Sequence, residues 1–96
     1  LAVSDVVRRR PVREDLRRSI ELWVGCVAGA LEESDYRARL AAAGFVGIDI
    51  EPTRIYRATD ASAFLAEAGF DPDAIAAEVD GAFMSAFVRA NSPVGR

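Results

Sequence analysis

The chain has 96 residues, 51% of them hydrophobic, enough for one small core, although a domain of this size buries only about two-thirds of the surface its unfolded chain exposes. Its 12 basic residues are all arginine and stand against 15 acidic ones for a net charge of −3, with no histidine and a single cysteine; imidazole chemistry and an internal disulfide are thereby excluded. No apolar run of about 18 residues and no charged-then-apolar leader is present, so the chain reads as a cytoplasmic protein with no membrane partner.

Leu1-Ala2-Val3-Ser4-Asp5-Val6-Val7 is a short apolar run with β-branched residues and predicts a buried strand. It opens at residue 1 without an initiator methionine, which suggests a fragment with more strands upstream. Ser4 and Asp5, late in such a strand, are expected at its carboxyl end, where open α/β sheets place ligands; a purely structural role for Asp5, binding loop amides, is the alternative. Residues 1–18 carry Arg8, Arg9, Arg10, Arg13, Arg17 and Arg18 against Asp5, Glu14 and Asp15. Such a basic stretch suits a nucleic-acid patch, but no aromatic residues interleave with it. A solvated loop and first helical turns are expected instead, and no nucleic-acid partner.

A helix is predicted from about Arg13 to Leu31, with Leu16, Ile20, Trp23, Val27 and Leu31 forming one apolar stripe. From Leu22 onward the other faces are apolar or small as well, which predicts burial on more than one side. Cys26 sits in this run about 90° off the stripe, on the side of Leu22. Gly25 and Gly29 flank it and leave the helix back bare for close approach of a backbone or ligand. From the residues alone Cys26 has two meanings, a small buried hydrophobe or a thiol ligand, and packing is the more economical one.

Ser34 predicts an N-cap, and Tyr36, Leu40 and Ala43 share a face of the helix that follows. Gly44 and Phe45 fit the C′ and C″ positions of a Schellman ending, with Phe45 folding back on Leu40. Val46, Ile48 and Ile50 alternate with polar or small residues as a half-buried strand. Pro52 shifts the apolar phase and predicts an edge or a bulge. Asp60 is expected to cap a helix through Ala68, and Gly69-Phe70 repeats the ending of Gly44-Phe45. Asp71-Pro72 pairs an N-cap with proline at N1, and Phe70 can staple onto Ile75. Asp80-Gly81 turns the chain into Phe83 to Val88, apolar on both parities, which predicts a strand with neighbours on both edges and cover on both faces. Asn91 to Arg96 read as a frayed tail.

The frame Ser4-Asp5-Val6, then Trp23-Val24-Gly25-Cys26-Val27-Ala28-Gly29-Ala30-Leu31, then Tyr36, Leu40 and Ala43-Gly44-Phe45, then Phe83 to Ala90, resembles the C-terminal part of arsenite S-adenosylmethionine methyltransferases. Trp-x-x-Cys-x-x-Gly-Ala-Leu is its specific element; the rest is common to many seven-stranded methyltransferases. The resemblance implies an α/β fold: residues 1–96 as a single domain fragment, the C-terminal portion of a Rossmann-like methyltransferase sheet with about three strands and three to four helices. It also implies that S-adenosylmethionine is bound mainly by an upstream half. No G-x-G-x-x-G follows a strand here, so no cofactor-binding residue is assigned and this fragment alone is not expected to be active. In the family, the cysteine matching Cys26 is one of the thiolates holding trivalent arsenic, which makes Cys26 the candidate substrate and metalloid ligand of an arsenic-detoxifying enzyme. Animal members carry a second arsenic cysteine just before the final strand, where this chain has Gly81. The readings that stand beside this one are a methyltransferase acting on another substrate and a non-catalytic α/β interaction or sensor module.

Overall fold

A computed structural model describes residues 1–25 and 29–92. Three strands and four helices follow in the order β1 (Ala2–Arg8), α1 (Glu14–Trp23), α2 (Glu33–Ala42), β2 (Val46–Ile55), α3 (Ala58–Glu67), α4 (Pro72–Val79) and β3 (Phe83–Asn91). The sheet order is β1-β3-β2, and β3 runs antiparallel to both neighbours. The two outer strands are therefore parallel to each other.

Side-chain alternation along β3 divides the core into two layers. Phe83 joins Leu16 and Ile20 of α1, Ala61 and Leu65 of α3, and Ile75 and Val79 of α4 on one face. Met84, Ala86 and Val88 join Val7 and Ile50 on the other, where Tyr36 and Leu40 of α2 cover them. Neighbours on both edges of the last strand are as its sequence predicts. Cover on both faces holds only toward its start, because Phe87 is half-buried and Arg89 exposed. On that uncovered part Arg89 stacks over the Phe87 ring at 4.4 Å and reaches Asp49 at 3.0 Å and Glu51 at 2.8 Å.

The helix endings follow their glycines. In α2 the Gly44 N–H donates to the Ala41 carbonyl and the Phe45 N–H to Leu40; in α3 Gly69 and Phe70 donate to Ala66 and Leu65. Both are Schellman endings with glycine at positive φ. Asp71 caps α4 by accepting the Asp73 N–H at 3.1 Å, with Pro72 at the first helical position. Pro52 lacks an N–H for the ladder, and the β2 register shifts between Pro52 and Arg54: the expected bulge, on an edge strand.

Several expectations are corrected. The first strand is not buried: residues 1–5 are exposed and Val7 is its only fully buried residue, because β1 pairs on one side only and no helix covers its first half. The long helix ends at Trp23. Gly25 has φ +79° and Gly29 φ +90°, values outside the helical region, and the Gly25 N–H closes the last turn on Leu22. Leu22 is 69% exposed rather than buried. Ser34 lies inside α2, whose N-cap is Glu32. The chain stays extended that far because Glu32 bridges to Arg8 beside β1. Asp60 is the third residue of α3 and accepts the Arg57 N–H at 2.9 Å; this satisfies the backbone group just before the helix from inside its first turn.

Candidate functional site

The carboxyl end of β1 is where chain segments distant in sequence meet. Arg8 donates its backbone N–H to the Leu31 carbonyl at 2.8 Å, and Arg9 donates its own to the Ala82 carbonyl at 2.7 Å. Their side chains repeat the pattern: Arg8 Nε reaches the Ala30 carbonyl at 2.7 Å and Arg9 Nη1 the Gly81 carbonyl at 3.2 Å. Ala30 and Leu31 thus lie on one side of the strand end and the turn before β3 on the other. Ser4 and Asp5, expected at this end, lie mid-strand, since β1 continues to Arg8.

Cys26, the ligand candidate, lies outside the described residues together with Val27 and Ala28. What is described is how the chain enters and leaves that stretch. On the entering side, a Cβ at Gly25 would meet open space, so glycine is required there by its φ and not by close approach. On the returning side, the Ala30 N–H donates to Glu21 Oε2 at 2.8 Å and Ala30 is buried in the core. Glu21 is 6% exposed, and Arg17 Nη1 donates to both of its carboxylate oxygens at 3.0 Å. Burying a carboxylate is costly unless it is both paired and hydrogen-bonded, and Glu21 is both. Sequence reasoning missed it because an acidic residue beside an amphipathic stripe reads as solvated; Arg17 one helical turn earlier is the available signal.

A cleft of about 290 Å³ opens nearby, lined by Arg9, Glu32, Glu33, Ser34 and Arg37. Arg37 donates to Glu33 Oε2 at 3.2 Å and to the Ile48 carbonyl at 3.2 Å. The cleft therefore carries balanced charge. Among the described residues no cluster of three or more Cys, Asp or Glu could hold a metal ion.

The arginine-rich stretch is solvent-facing as expected at Arg9, Arg13 and Arg18 and half-buried at Arg8, Arg10 and Arg17, and its side chains are also bound to neighbouring groups. Besides Arg8 and Arg9, Arg10 Nη2 caps the carboxyl end of α4 through the Ala77, Glu78 and Asp80 carbonyls, a cation at the negative end of a helix dipole. Arg13 pairs with Asp15 and lies over Phe70; Arg18 pairs with Glu14.

The partners of Asp5 among the described residues are a neighbouring amide and a side chain of α2, not distant loop amides. It accepts the Tyr36 hydroxyl at 2.9 Å and the neighbouring Val6 N–H at 2.8 Å, tying α2 to β1. Burial, reinforced by the hydrogen bond and charge of Asp5, pushes the Tyr36 phenol up to about 12.

Gly81, where the animal pattern places a second cysteine, is buried with φ +70°. A Cβ there would sit 3.4 Å from Arg9 Nη1, 3.4 Å from Arg57 Nη1 and 3.8 Å from a methyl of Ile55. This chain thus has glycine at a backbone conformation that disfavours any side chain.

No protein-family model matches the chain, and no solved structure matches it. Over 52 residues, 54% of the chain, it is 40% identical to an arsenite methyltransferase of Halobacterium salinarum. The chain is thus related in part to an arsenite methyltransferase. The match spans 13% of that protein's length. No helix among the described residues is long and apolar enough to cross a membrane.

Proposed function

We propose that this chain is the C-terminal, substrate-facing part of an S-adenosylmethionine-dependent methyltransferase that acts on trivalent arsenic, with Cys26 as a thiolate ligand of the arsenic. The observation that carries the reading is the 40% identity over 52 residues to the Halobacterium salinarum arsenite methyltransferase. The chemistry is consistent with it. A soft, thiophilic centre prefers thiolate to oxygen ligands, and only the deprotonated sulfur ligates. Transfer between soft atoms depends on positioning more than on acid–base groups, so a chain without histidine is no obstacle.

A Rossmann-like origin is supported by helices on both faces of the sheet and by two outer strands that are parallel to each other. The residues of this chain do not fit the cofactor. β1 leads into α1 through Arg9, Arg10, Pro11, Val12 and Arg13, with none of the glycines that let a backbone approach a nucleotide. S-adenosylmethionine is therefore assigned to an upstream half of the domain, and this chain contributes Cys26, in the sequence that follows α1. One thiolate chelates arsenic weakly, and position 81 supplies no second one, so the remaining ligands belong to other parts of the full-length protein.

The test is a Cys26→Ser substitution in the full-length protein, with methylated arsenic products counted by mass spectrometry. Loss of methyl transfer to arsenite is the expected result. Activity retained at the native level would remove Cys26 from the site.

A further inference from the structure

We propose that Arg9 and Arg57 form an oxyanion-binding site over Gly81, at the carboxyl ends of the two outer strands, for a small ligand that presents a carboxylate or phosphate group. The site is independent of Cys26 and of the arsenic chemistry proposed above.

Antiparallel pairing with β3 puts the carboxyl ends of β1 and β2 at the end of the sheet where β3 begins. Arg9 is the first residue after β1 and Arg57 the second after β2, so both leave the sheet on the side where open α/β sheets hold ligands. The turn before β3 ties them together through the backbone. The Arg9 N–H donates to the Ala82 carbonyl at 2.7 Å, and the Gly81 N–H to the Tyr56 carbonyl at 3.0 Å. With the main chain pinned on either side, the two side chains converge over the glycine: a Cβ at Gly81 would stand 3.4 Å from Nη1 of each.

Two guanidinium groups around one point repel each other unless an anion lies between them. Among the described residues Arg9 pairs with no carboxylate and donates one hydrogen bond from its side chain, to the Gly81 carbonyl at 3.2 Å. Arg57 approaches Asp80 Oδ2 at 3.7 Å, beyond hydrogen-bond reach, and the other Asp80 oxygen accepts the Ala58 N–H at 3.0 Å. The carboxyl end of α4 does not require the pair either, because Arg10 already binds its Ala77, Glu78 and Asp80 carbonyls. A φ of +70° accounts for glycine at position 81, but not for two cations gathered over it. What the fold leaves there is two planar forks with N–H donors to spare around a position without a side chain, the arrangement that recognises carboxylate and phosphate oxygens.

The cleft of about 290 Å³ has Arg9 on its wall and gives the body of such a ligand room beside the site. Glu33 in that cleft is neutralised by Arg37 at 3.2 Å. Glu32, on the same wall, repels a second negative group, which restricts the ligand to a single oxyanion head.

The experiment titrates the native full-length protein with inorganic phosphate and with acetate, at an ionic strength held constant with sodium chloride, and reads apparent Kd from the rise in Tm. Binding of at least one anion is expected: phosphate alone identifies a phosphate ligand, acetate alone a carboxylate, and both the fork chemistry they share. Arg9→Gln and Arg57→Gln are each expected to weaken binding on the order of tenfold, the factor one charge-assisted hydrogen bond supplies. Arg39→Gln, at an exposed arginine of α2, is expected to stay within about twofold of native, since a distant surface charge is screened. Failure of both anions to raise Tm overturns the proposal, as does an Arg57→Gln protein that binds within about twofold of native or an Arg39→Gln protein that loses as much. Should the Arg9 and Arg57 variants not fold, phenylglyoxal labelling of the native protein, mapped by peptide mass spectrometry, takes their place. Protection of Arg9 and Arg57 by the anion while Arg39 and Arg54 continue to react supports the site; equal protection of all four, or of none, overturns it.

Discussion

Installing a cysteine at position 81 restores in this chain the thiol of the animal arsenic pattern, and the structure predicts that it does so at a cost. Gly81 has φ +70°, and placing an L-residue in the left-handed region costs about 1–2 kcal/mol, offset by about 0.4–1 kcal/mol because the unfolded chain also loses glycine's freedom. The new Cβ would stand 3.4 Å from both Arg9 Nη1 and Arg57 Nη1. Both are ends of flexible side chains, so they can withdraw, but Arg9 would then give up its bond to the Gly81 carbonyl, worth about 1 kcal/mol. The sum is a loss of about 1–2.6 kcal/mol for Gly81→Cys. Gly69→Cys provides the control, since Gly69 has φ +95° but nothing within 4 Å of a Cβ; it isolates the backbone contribution, and the excess at position 81 measures the displaced arginine. Urea denaturation of the three proteins, read as a change in midpoint at constant slope, gives both numbers. A Gly81→Cys protein within about 0.3 kcal/mol of native would refute the reasoning, and would also leave position 81 open to a ligating thiol.

Two further outcomes follow from the packing. In a Tyr56→Phe background, Tyr36 is the remaining tyrosine, and its tyrosinate absorbance is expected to titrate near pH 12. Asp5→Asn should bring that midpoint only part of the way down, because burial is the larger cause. The phenol is held protonated in the fold, so its contribution to stability is complete below pH about 10 and is lost as pH rises through about 12; a titration at the ordinary tyrosine value would contradict this. Leu65→Ala, at a side chain 1% exposed, is expected to cost about 2–5 kcal/mol, whereas Leu22→Ala, 69% exposed, should lie within about 0.5 kcal/mol of native; chemical denaturation of the pair separates them.

The sequence was most legible where one residue's local chemistry decides the structure. Gly44 and Gly69 end their helices, Asp71-Pro72 begins one, and Pro52 breaks a ladder, because each outcome depends on a few neighbouring backbone groups. The first strand was misjudged because burial depends on partners: Val3 in β1 and Val88 in β3 are both β-branched and directly paired, yet Val3 is 37% exposed and Val88 fully buried. Alternation and composition carry no record of which edge a strand occupies.

The continuation of α1 beyond Trp23 was misjudged for a different reason. Apolar spacing continues from Leu16 to Leu31 at helical intervals, but it counts only side chains, and the deciding groups here are backbone ones. Gly25 and Gly29 adopt positive φ, and the Ala30 N–H is taken by a carboxylate in the last turn of α1. Two glycines four residues apart fit a bare helix face and a closed loop equally well. What separates the readings is an acidic residue placed to accept from the loop and an arginine placed to hold it, and Arg17 and Glu21, at i and i+4, supply that pair. The last turn of α1 holds backbone on both sides of residues 26–28, through the Leu22 carbonyl at Gly25 and the Glu21 carboxylate at Ala30.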